Sequence, residues 1–536
     1  MSTITQFLAA SAAASVVLGR YAPEYTLGQS YLLTAIAFFF GQFFVWATYK
    51  VVIYPKFLSP LRNLPQPSGG SFFNGHFRTI SDEPSGDPAA RWTEEIPNDG
   101  LIVYRHLFNR ERLLLTNPKT LGEVLVHKNY EFIKPHQFRV GLGRILGIGI
   151  LLAEGDEHKT QRKNLMPAFA FRHIKELYPG FWEKSKEMVD TIAQHITSTS
   201  SNVVEVGAWT SRATLDIIGV AGMGQDFGAL QNPNNKLSVT YKTIFNPPKY
   251  ARYMQLAGAF LPQWFLRALP IKRNTEIEDA SEFIKQTCRD LITAKKAKME
   301  KAERTEVDIL SVAIESGGFN DEELVNQMMT FLVAGHETTS TAMMWAIYLL
   351  CKHQDVQTKL RQEVHSRLPP MRDPSAQITA ADVDGCHYLH AVCSEVLRVW
   401  APVALTMRIA AHNTTIGDQF VPKNTMVIVA PRAINLSTKL WGPDAKEFNP
   451  DRWMKEGQAN KGGADSNYSF LTFLHGPRSC IGLSFSRAEF ACLLAAWVGR
   501  FETSFENDDY VLEIKGGVTS KPKGGLCVKL NEIKDW

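Results

Sequence analysis

The apolar positions of the chain fall into distinct regimes. From Tyr31 to Tyr49 they run almost unbroken, YLLTAIAFFFGQFFVWATY, nineteen residues without a charge. That meets the roughly 17 to 25 residues a helix needs to cross a bilayer. Tyr31, Trp46 and Tyr49 sit near its ends, where amphipathic rings favour the headgroup layer. Lys50, Lys56 and Arg62 follow, with no acidic residue between Tyr49 and Asp82, which predicts that everything after Lys50 is cytosolic. An earlier Ala/Ser-rich stretch, Phe7 to Gly19, reads either as a second membrane segment or as a signal sequence, although it lacks the basic leader a signal sequence carries. After the span, SPLRNLPQPSGG holds Pro60, Pro65 and Pro67, the composition of a semi-rigid hinge. From about Gly70 onward helical spacing dominates, with no internal repeat or second linker, and short β-like runs at Leu101–Tyr104, Leu113–Thr116 and Met426–Val429. The longest helical signal begins near Asn320. Asn320 with Glu323 three residues on forms a capping pair, Asp321 and Glu322 suit the positive end of the helix dipole, and apolar positions continue to about Leu350. Such a helix is about 45 Å long and must cross the core. The expected organisation is a hydrophobic leader (1–30), a transmembrane anchor (31–49), a Pro-rich hinge (50–69) and a single domain (70–536).

Composition narrows the class without naming a chemistry. At 45% hydrophobic and 21% charged residues the chain is an ordinary globular protein, not a disordered or fibrous one. Its 58 basic and 54 acidic residues give +4 with no basic stripe, which argues against a nucleic-acid partner. The seven cysteines are odd in number and never spaced C-x-x-C, which excludes a fully paired disulfide framework or an ordinary zinc ribbon and suits reduced thiols in the cytosol.

One cysteine has a special setting. Phe473-Leu-His-Gly476-Pro-Arg478-Ser-Cys480-Ile-Gly482, with Phe485 and Glu489 beyond, places Cys480 between two glycines just ahead of the apolar helical run Leu483 to Val498. The glycines permit tight turns and close approach of a flat ligand. The helix N-terminus favours thiolate over thiol, and a thiolate there can act as nucleophile, redox group or metal ligand. Two rival readings fail on spacing. His336-Glu337 is half of a zinc-protease helix, but that motif needs a second His at position 340, which is Ser. The glycines at 141, 143 and 147 miss a dinucleotide fingerprint by one residue and follow no strong strand, so this chain is not expected to bind NADPH itself.

The cysteine loop resembles the haem-binding loop of the cytochrome P450 family, F-x-x-G-x-R-x-C-x-G, at Phe473, Gly476, Arg478, Cys480 and Gly482. Three further motifs of that family follow in order. Glu395-Val-Leu-Arg398 matches E-x-x-R, and Phe448-Asn-Pro450-Asp-Arg452-Trp453 supplies the later arginine; the resemblance implies a buried structural network of Glu395, Arg398 and Arg452. Ala334-Gly335-His336-Glu337-Thr338-Thr339 matches the oxygen-binding stretch of the central helix. There Glu337 and Thr338 are expected to pass protons, and Gly335 to leave room for a cofactor and dioxygen. The W-x-x-x-R propionate motif has His158 in place of Trp, with Arg162 following, and Arg408 matches the propionate arginine after Pro402.

The resemblance covers about Pro60 to the C-terminus. It implies a mainly α fold with a small β-rich lobe, preceded by the transmembrane helix, and a haem b (iron protoporphyrin IX) with Cys480 as axial ligand. The implied activity is a monooxygenase reaction on a lipophilic substrate. Electrons are expected from NADPH through a membrane-bound cytochrome P450 reductase, with cytochrome b5 as a second candidate donor. Lys159, Arg162 and Lys163 are candidates for the reductase contact. Apolar residues at Phe331, Leu332 and Ala334, at Val403 to Leu405 and in the stretch 260–266 suggest the lipophilic substrate, the last being expected to dip into the endoplasmic reticulum membrane. The style of the motifs resembles fungal microsomal members that tailor terpenoids or polyketides. Lipid or xenobiotic oxidation, a haem-thiolate peroxide isomerase and a non-catalytic haem sensor are the alternatives.

Overall fold

The computed structural model describes the chain except residues 1–2, 247, 249–256, 259–260, 262, 302–307, 374–377, 508 and 535. Two helices come first, a leading helix Thr3–Tyr21 and an anchor helix Tyr31–Thr48, and they lie against each other. Ser30 starts the second by accepting a hydrogen bond from the Leu33 amide. The winding does not stop at Tyr49. It continues in wider turns over Tyr49–Leu58, with Pro55 inside them.

This changes the picture of the hinge. The Val51 carbonyl accepts from Asn109 Nδ2 at 2.8 Å and the Pro55 carbonyl from Arg105 at 3.1 Å. Ser59 Oγ donates to Glu111 at 2.7 Å, Leu61 is buried, and the Pro65 carbonyl accepts from the Val103 amide at 3.0 Å. The prolines stiffen the segment as expected, but it is bonded along its length to the first β-hairpin and does not hang free.

That hairpin, Leu101–Arg105 with Glu111–Leu115, opens a five-stranded sheet. Met426–Val429 pairs parallel to Glu111–Leu115 and antiparallel to Thr406–Ala410, which carries Phe132–Ile133 at the far edge. Leu113, Leu114 and Leu115 are fully buried. The second strand starts before Leu113 because Glu111 and Arg112 pair with Arg105 and Tyr104.

The rest is mainly helical and is built around Asp321–Lys352. Its first turn has the capping box, with Asn320 accepting from the Glu323 amide and the Glu323 side chain accepting from the Asn320 amide. Helices Val206–Ile217, Lys272–Glu300 and Leu483–Arg500 pack around it. Trp345, near its end, stacks on Trp400 at 3.9 Å and 6°. The helix is both the spine of the core and one wall of a large cavity.

Candidate active site

Cys480 sits in the loop before helix Leu483–Arg500, with Gly482 as the helix N-cap. Its amide donates to the Phe473 carbonyl at 2.9 Å, which closes the loop on itself. Gly476 is at φ +78°, and a Cβ there would run into the Leu125 carbonyl, so this turn demands glycine. Gly482 is under no such demand from its protein neighbours, the nearest lying at 3.9 Å. Of the seven cysteines, all described, only Cys480 is exposed, and what it faces is a cavity of about 3070 Å³. That is about three times the upper end of the ~300–1,000 Å³ usual for one small-molecule site. The space suits a large cofactor and a substrate together.

The helix N-terminus is not the only influence on the sulfur. Cys480 is open only to the cavity, and the protein packed around it strips water from the sulfur and pushes the thiol up, with the Gly482 N–H and the Arg162 guanidinium opposing. A bound metal ion would have to supply the deprotonation, as coordination does outright.

The central helix lines the same cavity as the thiol. From Gln327 to Cys351 every residue is buried except Ala334, Gly335 and Thr338, which share one face at i, i+1 and i+4 and line the same cavity as Cys480. Thr338 Oγ1 donates to the Ala334 carbonyl at 2.8 Å. Gly335 has a different partner from the one expected, since a Cβ there would meet the Ile218 side chain at 2.9 Å. The missing side chain makes room for a neighbouring helix. Glu337 also lines the cavity and reaches toward the hairpin Ile514–Lys515 with Lys521–Pro522, where its Oε1 accepts from Thr519 at 2.7 Å and Lys521 at 2.9 Å. His336 is buried against the Tyr241 ring at 4.7 Å.

A third feature sits at the cavity edge. Lys134, His158, Arg408 and Arg478 are all buried there. Glu154 is the carboxylate among them, ion-paired with Arg478 and 3.8 Å from Lys134. Burial, then repulsion from Arg408 and Arg478, pushes Lys134 down to about 7 despite Glu154. Burial and Arg478 push Arg408 down to about 10. Burial and the same cations push His158 down to about 4, and its Nδ1 lies 3.0 Å from the Tyr130 hydroxyl. One carboxylate does not balance three buried cations. Arg162 lines the cavity with them and also donates to the Ser479 carbonyl at 2.8 Å and to Ser479 Oγ at 3.3 Å, bracing the cysteine loop. Lys134, Tyr130 and Glu154 belong to none of the sequence motifs.

Comparison with known proteins agrees with this site. The pattern of the cytochrome P450 family matches residues 74–528. The chain is 46% identical to the cytochrome P450 monooxygenase sphH of Aspergillus fumigatus, over 96% of each chain. It is 39% identical to the cytochrome P450 monooxygenase ALT8 of Alternaria alternata, over 98% of this chain and 99% of the relative. With FUM15 of Gibberella moniliformis, also a cytochrome P450 monooxygenase, it shares 40% over 96% of each. The chain belongs to the cytochrome P450 family.

As a P450 monooxygenase it is implied to carry a haem–thiolate cofactor, and the residues present fit one. An exposed sulfur and the small residues Ala334 and Gly335 line one cavity with room for a flat group. The uncompensated cations suit carboxylates at its edge. Behind the P450's cysteine loop, Glu395 and Arg398 are fully buried and joined by two bonds of 2.7 and 2.8 Å. Arg452 donates to Glu395 at 3.0 Å, Trp453 Nε1 at 2.9 Å and the Asn449 amide at 2.9 Å, while Arg452 also reaches Asp444 at 2.9 Å. Every lone pair of that carboxylate is engaged, and none of the network lines the cavity. Phe473 does line it, beside Arg478 and Cys480.

Of the residues expected near the substrate, Phe331, Ala334, Val403, Ala404 and Leu405 line the cavity, whereas Leu332 is buried in the core. In the stretch 260–266, positions 260 and 262 lie outside the described residues, and Leu266 reaches the cavity wall. The cavity also extends to Phe43, Trp46 and Ala47 of the anchor helix.

Proposed function

We propose that this P450 monooxygenase inserts one atom of dioxygen into a lipophilic, membrane-partitioned substrate, as a tailoring step on a terpenoid or polyketide in fungal secondary metabolism. The observation that carries the reading is that the one exposed cysteine and the Ala334–Gly335–Thr338 face line a single cavity. When bound, haem b supplies the dioxygen chemistry, with the thiolate pushing electron density onto the iron.

The chain's own residues do the rest. Cys480 Sγ holds the iron, and Arg162 and the Gly482 N–H stabilise its negative charge. Lys134, His158, Arg408 and Arg478 hold the propionates, whose charge relieves the repulsion among these cations. Thr338, whose hydroxyl rests on the Ala334 carbonyl, would relay a proton by taking one from bound water as it gives its own into the cavity. Glu337, paired with Lys521 and Thr519, sets the charge beside it. The apolar wall, from Phe331 and Val403 to Leu405 on to the anchor helix, excludes water and admits a lipophilic compound from the bilayer. Electrons come from NADPH through a cytochrome P450 reductase, or through cytochrome b5, in the endoplasmic reticulum membrane. Lys159 and Lys163 are exposed for that contact, whereas Arg162 is turned inward.

The test is product formed per NADPH consumed with one accepted substrate, the substrate being found by metabolite comparison of a deletion strain. Thr338→Ala should keep haem and substrate-induced spectral shifts but lower the coupling ratio several-fold and raise peroxide release. That is less than the ~10²-fold typical of an acid–base group, because bound water replaces a hydroxyl. Unchanged coupling in both Thr338→Ala and Glu337→Gln would contradict the relay. Turnover of a lipid hydroperoxide without reductase would favour the isomerase reading instead.

A further inference from the structure

The leading helix packs on the anchor helix through a stripe of small residues. Ser11, Ser15 and Gly19 recur at every fourth position and face the partner: both serines are buried, and a Cβ on Gly19 would run into the Tyr31 ring. Phe7 meets Trp46 at 6.2 Å and Gln42 Nε2 donates to Ser11 Oγ at 3.4 Å, so early residues of one helix meet late residues of the other and the pair is antiparallel. The polar groups inside the pair are satisfied there. Ser15 Oγ donates to the Ala12 carbonyl, and Thr34 Oγ1 donates to the Ser30 carbonyl while accepting from the Leu27 amide.

The outside is the reverse of a water-soluble hairpin. Ile4, Leu8, Val16 and Val17 on one helix, and Leu32, Phe40, Phe44 and Val45 on the other, are all exposed. The only charge on either helix is Arg20, at the loop end. At nineteen residues the leading helix is about 28 Å long, close to the ~30 Å hydrocarbon thickness. Apolar outside, polar inside and bilayer-long is the pattern of helices solvated by lipid, and the anchor helix beside it is already long and apolar enough to span.

We propose that residues 3–49 form a two-pass helical hairpin whose outer face is covered by lipid acyl chains. The loop 22–30 then lies across the membrane from the catalytic body, and the start of the leading helix returns to the catalytic body's side. A single-pass anchor would instead leave the exposed apolar face of Thr3–Tyr21 in water. The inference rests on the anchor alone and is independent of the chemistry proposed above.

The experiment uses the full chain in microsomes, with one hydrophilic spacer carrying a glycosylation sequon placed either between Gly28 and Gln29 or ahead of Thr3. Both forms are first checked for an intact reduced carbon-monoxide spectrum. The hairpin predicts modification in the loop and none ahead of Thr3, read as a glycosidase-sensitive mobility shift. The sequons at Asn413 and Asn467, exposed on the catalytic body, should stay unmodified in both. Modification ahead of Thr3 would overturn the proposal, and so would modification at neither place. A second variant needs no spacer at the interface. Ser11→Cys with Gln42→Cys should cross-link on oxidation, so that two fragments cut within the loop stay joined until reduced. Fragments that separate without reduction would overturn the pairing.

Discussion

Glu395 and Arg398 have no exposure to solvent, and Arg398 also donates to the carbonyls of Asn435 and Glu447 at 2.8 Å. Removing one partner of such a pair strands a buried charge, which costs about 3–5 kcal/mol. Arg398→Ala should therefore lose most folded, haem-retaining protein, and Arg398→Lys should not rescue it, because an ammonium cannot reproduce the fork. Thermal unfolding and haem content check both. Glu489 behaves differently. It is fully buried on the cavity wall, and burial holds its carboxyl well above the ordinary 4.5, with only the Thr339 hydroxyl opposing. The folded state keeps a proton there that the unfolded chain releases, so stability falls as pH rises above about 4.5. Glu489→Gln removes that penalty. Its Tm should match wild type at the acid end and exceed it increasingly toward neutral pH; a constant difference between pH 4 and 8 would show that Glu489 is not held neutral.

Among the elements, the central helix was the most legible in sequence. The capping pair at Asn320 and Glu323 and an unbroken apolar pattern both act locally, and the structure has the helix as Asp321–Lys352. The strand Met426–Val429 was equally plain. The hairpin that holds Glu337 was not, because strands of two residues, Ile514–Lys515 and Lys521–Pro522, have no periodicity to read. Gly335 was legible as a required glycine but not for its reason, since Ile218 lies more than a hundred residues away in sequence. The same holds for Lys134, whose meaning comes only from burial beside Arg408 and Arg478. The Glu337–Lys521 pair makes a test at this scale. Lys521→Met leaves a buried carboxylate with Thr519 alone, and should lower stability by about 1–3 kcal/mol, the usual cost of an unsatisfied buried group. Adding Glu337→Gln should recover most of that loss. Additive losses in the double variant would show that the two side chains do not act as a pair.

For the whole molecule, four motifs in order made the fold and the monooxygenase class readable, while the attachment of the anchor was not. Prolines report local stiffness, but not that the Val51, Pro55 and Pro65 carbonyls are bonded to the first hairpin. Deleting residues 1–50 spares those contacts. The truncated protein should leave the membrane pellet on washing without detergent, apart from a weak residue, and keep its haem; full retention in the pellet would mean that another surface anchors it. Haem–thiolate ligation itself is tested most directly by the reduced carbon-monoxide difference spectrum of wild type and cysteine variants. Wild type should show the band that named the family, Cys480→His should lose it, and Ser at each of the other six cysteines should keep it. Retention of the band in Cys480→His would contradict the assignment of Cys480 as the iron ligand.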